Sequence, residues 1–529
     1  MFASPYPDVH IPDLTIYDFL FGSLEDSDRD QVAIVDPGSG AETTYGELVA
    51  RIDALAGAFA ARGIGPGTVV GMLSPNIPTF PAVFHGLLRA GSTVTTLNTL
   101  FGAEEIGKQL ADSSATWIVT VSPLLPQVIA AAGEIGLAAD HVIVLDGAAG
   151  HEGLADLLSE QRTPPELTID PATHIAVLPY SSGTTGVAKG VMLSHRNLVA
   201  NVQQSQVVVP VSHSDRVLAV LPFFHIYGMT VLLNLALARR AALVTMPRFD
   251  LVDFLTTIQD RGCTFIFIAP PIAVALAKHP IVDQFDISSV NTLFSGAAPL
   301  DGETGRRAAE RINARMFQGY GMTELSPVSH ATPADRPDIP LDSIGVTLPN
   351  IVCRLVDPAT GTEIVEIEAD GFTKPGELWV SGPNVMLGYL GNPEATAQTI
   401  DEDGFLHTGD VATYHEDGYF TIIDRVKELI KYKGYQVAPA ELEALLLSNS
   451  DIADAAVIGV LDEEGQEVPK AFVVRAEGSA IDAEWIMAFV AERVAPYKKI
   501  RRVEFIDQIP KSSAGKILRK DLRSREPVG

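Results

Sequence analysis

The chain has 529 residues, too many for one core and enough for two to four domains. Hydrophobic residues make up 47% of it, while 66 acidic against 38 basic residues leave a formal net charge of −28. A surface that acidic repels nucleic acid and anionic membranes, so neither is an expected partner, and the charge serves solubility.

Cys263 and Cys353 stand in apolar or strand-like contexts, and two isolated cysteines make neither a disulfide framework nor a metal cluster. A reducing compartment, the cytoplasm, is the expected location. Residues 1–8 lack the basic and apolar regions of a signal peptide, and residues 526–529 carry no receptor-read address. The most apolar stretch, 221–237, is interrupted by Pro222, His225, Gly228, Thr230 and Asn234, so it reads as core or pocket wall and no membrane span is expected.

Residues 14–170 alternate helical periods with short apolar strands. Thr44 opens a helix to about Arg62, 69–73 reads as a strand and 79–91 as a helix. This βα rhythm belongs to a mostly parallel sheet and by itself carries no chemistry. It resumes after residue 216, with strands at 217–221, 242–246, 264–268, 292–294 and 315–318. Helices at 251–259, 271–278 and 303–312 separate them. In such sheets ligands bind beyond the carboxyl ends of the strands. The polar, glycine-bearing loops 222–228, 295–300 and 319–324 all follow strands, so right-handed crossovers place them along one crevice. From about Ile344 short strands and turns take over, and Asp417-Gly418 marks a hairpin between 411–414 and 419–423. The stretch 425–433 holds four basic residues, and the domain boundary is expected there: 1–424, a hinge at 425–427, and 428–529. The last part reads as a compact α+β unit with helices from Pro439 and over 483–494. Residues 490–529 hold 11 Lys or Arg against 5 Asp or Glu, opposite in sign to the whole chain. The expected class is therefore α/β: a large N-terminal part of several βα-layered sheets plus a small, mobile α+β C-terminal domain.

One stretch is richer than a turn requires. Tyr180-Ser181-Ser182-Gly183-Thr184-Thr185-Gly186-Val187-Ala188-Lys189-Gly190 contains five hydroxyls, three glycines, one lysine and no acid. Glycines let backbone N–H groups approach an anion, the hydroxyls add donors, and Lys189 supplies a mobile positive charge. Gly and Ser also cluster in ordinary turns, but this loop lies between the apolar runs 175–178 and 191–193. It is not a Walker loop, because Lys189 is followed by Gly190 and an extended stretch rather than by Ser or Thr opening a helix.

The stretch from Tyr180 to His195 resembles the signature loop of the adenylate-forming superfamily, in its 4-coumarate–CoA ligase branch. The resemblance recurs, in order, at six or more motifs from about residue 14 to Arg523. It implies a two-step reaction. A carboxylate attacks the α-phosphorus of ATP to give acyl-AMP and pyrophosphate; the small domain then rotates and the thiol of coenzyme A displaces AMP. ATP, Mg²⁺ and coenzyme A are thus the implied cofactor and co-substrates, with a small carboxylic acid as the partner molecule.

Carried over by the resemblance, Ser181, Ser182, Gly183, Thr184, Thr185 and Lys189 hold the β- and γ-phosphates. Gln318, Gly319 and Tyr320 lie on the adenine side, Thr323 on the α-phosphate and Glu324 on Mg²⁺. Asp410 accepts the ribose hydroxyls, and Arg425 adds a ribose or phosphate contact. Lys427 is the implied hinge. Lys431 and Gln436 support adenylation, and Lys516, at the tip of 512–517, is the implied catalytic lysine. Arg248, Lys433 and Gly434 face coenzyme A. His225, a lone histidine that would otherwise read as packing, gates the acyl slot. Tyr227, Val231, Gly296, Ala297, Gly321, Pro327, Val328, Ser329 and Ala331 line it.

Two departures from the family pattern concern the acid. Ala297 stands where many plant relatives have a second glycine, and Val231 offers no hydroxyl to a phenol where plant enzymes often place serine. An aromatic or medium acyl chain in an apolar slot is expected, most simply 4-coumarate or cinnamate. A medium- or long-chain fatty acyl-CoA ligase, an enzyme loading a carrier protein and a catalytically silent nucleotide sensor are the competing readings. Lys516, Asp410 and Glu324 argue against the sensor.

Overall fold

A computed structural model describes residues 1–181, 188–426, 428–432, 435–462, 467–511 and 517–525, the side chains at 431, 435 and 436 excepted. Among these residues a nine-stranded sheet carries most of the expected crevice. Its parallel centre runs Arg315–Gly321, Thr292–Ser295, Phe265–Ile268, Arg216–Ala219, Ala242–Thr245 and Val32–Val35. Antiparallel Val328–Ala331 and Val346–Thr347 extend one edge, and Glu42–Thr44 the other. Apart from the two ends of Arg315–Gly321, these central strands are buried throughout or nearly so, as Phe265–Ile268 with its run of four large apolar side chains illustrates.

A second sheet takes Ile175–Val177, Thr93–Thr96, Val69–Leu73, Trp117–Thr120 and Val142–Val144 in parallel. Lys189–Ser194 joins it antiparallel and is itself paired by Tyr180–Ser181 and Gly388–Tyr389. Between the layers lies Tyr45–Ala61, whose Thr44 side chain accepts from the Glu47 N–H while the Glu47 carboxylate accepts from the Thr44 N–H. Its Leu48, Ile52, Leu55 and Phe59 fall on one stripe and are fully buried, packed towards Phe80–Arg89.

The third sheet is antiparallel: Phe2–Ala3, Val352–Val356, Gly376–Ser381, Leu406–Tyr414 and Phe420–Arg425. Past Arg425 no described strand pairs with these sheets. Ile430–Tyr432 and Tyr435–Val437 form a ribbon, and Ile452–Leu461, Glu467–Arg475 and Arg502–Phe505 form a small sheet against the helix Pro439–Leu447. Arg519 clamps this unit. Its guanidinium donates to both Glu443 oxygens at 2.7 Å, and Glu443 also accepts the Val457 N–H at 2.7 Å. Across the junction Asp424 accepts the Arg425 N–H at 2.7 Å and the Ala440 N–H at 2.9 Å, which caps the first turn of Pro439–Leu447.

Two loops of the sequence reading take different forms. The strand expected to end at Gln318 continues to Gly321, because Gly319 and Tyr320 find antiparallel partners in Ala331 and His330. Within 222–228 a helix already begins: Tyr227–Asn234 is a π-helix that runs into Leu235–Ala238. Pro222 and Gly228 suggest a turn, yet everything from Met229 to Leu237 is buried, and burial forces the backbone to satisfy its own polar groups. Cys263 and Cys353 are both buried and unpaired, and burial pushes each thiol up to about 12. Among the described residues no helix is long and apolar enough to cross a membrane.

Candidate active site

The carboxyl ends of the parallel strands do meet. The Tyr227 hydroxyl donates to the Phe294 carbonyl at 3.1 Å, and its ring lies against Gly296, where a Cβ would stand 2.9 Å from it. Glycine at 296 is therefore what lets the π-helix and the 295–300 loop close together. Tyr227 is edge-on to Phe267, and Val231 is fully buried on the same π-helix. His225 precedes it, with Nδ1 accepting the Tyr227 N–H at 3.3 Å. Ala297 sits at φ 71, in the left-handed region that favours glycine. Gly321 is also required: a Cβ there would collide with the Pro327 carbonyl. Val328, Ser329 and Ala331 follow on the neighbouring strand, all buried, and the Ser329 hydroxyl is within 2.9 Å of His330 Nδ1.

Beyond Gly321 the chain makes a short turn of 3₁₀ helix, Thr323–Leu325, which presents half-buried Thr323 and turns Glu324 inward. Glu324 is 5% exposed. Its Oε1 accepts the Ser181 hydroxyl at 3.0 Å and the Tyr389 hydroxyl at 2.9 Å. Lys189 Nζ lies 4.5 Å above the Tyr389 ring centre. The first leg of the 181–189 loop is anchored further by the Tyr180 hydroxyl, which donates to Asp112 at 2.5 Å.

A second polar group lies where the first and third sheets meet. Asp410 accepts the Tyr320 hydroxyl at 2.5 Å and pairs with Arg425 Nε at 3.0 Å. Burial, reinforced by the Asp410 charge, holds the Tyr320 phenol well above its ordinary range, so it stays a donor. Behind Tyr320 the buried His330 packs edge-on, and burial lowers it to about 3, so it is neutral.

The Gln318 side-chain amide donates to the Leu300 carbonyl at 3.0 Å and to that of Leu341, so it ties two loops together at this strand end. Arg248 is exposed just after Ala242–Thr245, on the same sheet edge. Ser182, Gly183, Thr184, Thr185, Lys427, Lys433, Gly434 and Lys516 lie outside the described residues, as do the side chains of Lys431 and Gln436.

This donor set suits a magnesium nucleotide. Mg²⁺ commonly takes one or two carboxylates and completes its shell with phosphate oxygens and water. Glu324 offers one carboxylate, and no group of three or more His, Cys, Asp or Glu that could hold a metal stands among the described residues. Sequence reasoning missed Tyr389 and Asp112. Both lie far along the chain from the loop they support, and neither belongs to a motif with its own chemical spacing.

The family models agree with this geometry. Residues 24–390 match the AMP-binding enzyme family and residues 441–516 its C-terminal domain. The chain is 40% identical to 4-coumarate--CoA ligase 5 of Oryza sativa subsp. japonica, over all of this chain and 98% of that protein. Among solved structures, ATP-bound MatB from Rhodopseudomonas palustris superposes with a TM-score of 0.87 at 29% identity, covering 96% of this chain and 98% of that one. The anthranilate CoA ligase AuaEII in complex with anthranoyl-AMP gives 0.88 at 25% identity, over 98% of each chain. The chain thus belongs to the AMP-binding enzymes, those with the AMP-binding C-terminal domain, and is similar along its whole length to 4-coumarate–CoA ligases.

Proposed function

We propose that the chain is an ATP-dependent acid–CoA ligase whose acid is a hydroxycinnamate of the 4-coumarate or cinnamate type. One observation carries it: the Ser181 and Tyr389 hydroxyls meet on Glu324 with Lys189 over the Tyr389 ring, and Tyr320, Asp410 and Arg425 are linked in a second polar group. The first group offers a hydroxyl, a cation and a carboxylate, suited to phosphates and Mg²⁺. The second offers a buried carboxylate for vicinal hydroxyls.

In the first half-reaction an oxygen of the acid bonds to the α-phosphorus and the bond to the bridging oxygen breaks, releasing pyrophosphate. In the second the thiol sulfur bonds to the acyl carbon, AMP leaves with the electron pair, and the thiol proton is lost. Mg²⁺, where bound, neutralises phosphate charge. Glu324 would hold it, Thr323 would face the α-phosphate, Lys189 would meet the outer phosphates, and Asp410 with Arg425 would fix the ribose. Tyr227, Val231 and Gly296 wall the acid. The reading includes a division of labour in which residues 1–424 bind nucleotide and acid, 425–427 form a hinge and 428–529 form the moving lid. It also places the chain in the cytoplasm, supported by its two unpaired buried cysteines.

The acid is tested by assaying AMP release with coenzyme A present across cinnamate, 4-coumarate and palmitate. Val231 is fully buried and apolar, and leaving a phenol hydroxyl unpaired beside it costs roughly 1–3 kcal/mol. Cinnamate is therefore expected to be used at least as well as 4-coumarate, and Val231→Ser to shift preference towards the phenol. A strong preference for palmitate over both would overturn the hydroxycinnamate assignment and favour a fatty acid.

A further inference from the structure

We infer that Tyr389 is a positioning residue that sets both charges with which the chain handles the outer phosphates of ATP, the Glu324 carboxylate and the Lys189 ammonium. The inference rests on the reading of Glu324 as the magnesium ligand and of Lys189 as the phosphate cation. Nothing in the phosphate-loop motif contains Tyr389, which lies two hundred positions further along the chain.

The geometry is specific. Tyr389 and Ser181 both donate to Glu324 Oε1, at 2.9 and 3.0 Å, and among the described residues no hydrogen bond reaches Oε2. Two donors on one oxygen stop the carboxylate from rotating and leave the other oxygen to a ligand. That is how outer-shell hydrogen bonds orient a metal-binding carboxylate. The Glu324 carbonyl is fixed as well, accepting the Met386 N–H at 2.9 Å.

The face of the same ring lies 4.5 Å from Lys189 Nζ. An ammonium over an aromatic face is attracted by the ring and drawn to one place without being neutralised. A carboxylate in the same position would cancel the charge the phosphates need; a ring does not. Lys189 forms the second leg of the loop and Ser181 the first, so Tyr389 reaches one leg directly and the other through Glu324.

Tyr389 is itself held in place. It is 7% exposed, its N–H donates to Thr396 Oγ1 at 2.9 Å, and Gly388–Tyr389 pairs with Val191 and Met192 on the strand that carries Lys189. Leu390 N–H donates to the Gly190 carbonyl at 2.9 Å, closing the pairing beside Lys189.

The test is ATP affinity measured calorimetrically across a Mg²⁺ titration, on the full chain without acid or coenzyme A. Tyr389→Phe keeps the ring and loses the hydroxyl. It is expected to raise the Mg²⁺ concentration needed for ATP binding about 10–100-fold, with affinity at saturating Mg²⁺ near wild type. Tyr389→Leu removes the ring too and is expected to weaken ATP binding at saturating Mg²⁺ as well. In a Glu324→Gln background Tyr389→Phe should add little, because the hydroxyl acts through that carboxylate.

If Glu324→Gln shifts the Mg²⁺ requirement and Tyr389→Phe does not, the positioning role is wrong and the reading of Glu324 stands. If Tyr389→Phe lowers only the melting temperature, Tyr389 is a packing residue and the inference fails. If neither variant shifts the requirement, the metal reading of Glu324 fails and takes the inference with it.

Discussion

Lys516→Ala is expected to slow acyl-adenylate formation by about 10²–10³-fold, roughly 3–4 kcal/mol, while supplied acyl-adenylate is still converted to the thioester. The acid and the α-phosphate are both anions, and they repel more strongly as the new bond forms. An ammonium placed between them therefore acts chiefly in the transition state. The second half-reaction has no such pair of anions at its centre, so it does not need that charge. Lys511 and Ile517 pair on either side of 512–516, and Leu518 N–H donates to the Pro510 carbonyl at 2.9 Å. Arg519 is clamped on Glu443. Lys427→Pro is expected to do the reverse, sparing adenylation and blocking transfer, because proline removes the backbone freedom that a rotation at the hinge requires. Pyrophosphate release and thioester formation from synthetic acyl-adenylate, measured separately, check both variants. Equal slowing of both halves in both variants would remove the two-pose mechanism.

Asp410→Asn is expected to raise the KM for ATP by about 10²-fold. Asn keeps the shape and removes the charge, so the two charge-assisted contacts proposed with the ribose would become neutral ones, each weaker by roughly 1.5 kcal/mol. Asp410 is 5% exposed while the Arg425 side chain is 33% exposed, so the loss of their pair is softened by water on the arginine side. The variant is therefore expected to fold, with Tyr320 now donating to an amide oxygen. Specificity for the sugar is the decisive readout. Wild-type enzyme should lose affinity when 2′-deoxy-ATP replaces ATP, and that gap should shrink in Asp410→Asn. An unchanged gap would detach Asp410 from the ribose.

Much of the parallel framework is legible in the sequence because buried strands advertise themselves as short, unbroken apolar runs. Thr292–Ser295 and Phe265–Ile268 are found within a residue or two of where their composition places them. What the sequence conceals is decided by partners far away. Gly319-Tyr320-Gly321 reads as a turn, and only the pairing with Val328–Ala331 makes it strand. The 222–228 stretch reads as a loop because Pro222, His225 and Gly228 outweigh the apolar residues beyond them, while the tertiary setting decides for helix. The candidate site divides in the same way. Ser181, Lys189, Glu324 and Asp410 are legible through motifs. Gln318 also sits in one of those motifs, its amide tying two loops together, whereas Tyr389 sits in none although it touches two of the charges.

Both native thiols are out of reach, Cys263 and Cys353 being buried and held protonated up to about 12. Thiol reagents attack the thiolate at an accessible sulfur, so the folded chain is expected to be silent towards Ellman's reagent and to show both cysteines only after denaturation. No cysteine has to be removed before dyes are attached. A cysteine introduced at exposed Glu366 and another at exposed Glu477, on either side of residue 427, would take a fluorophore pair while the native sulfurs stay unlabelled. Energy transfer between the two dyes would then show in real time, without relying on any catalytic readout, whether the small domain swings as proposed.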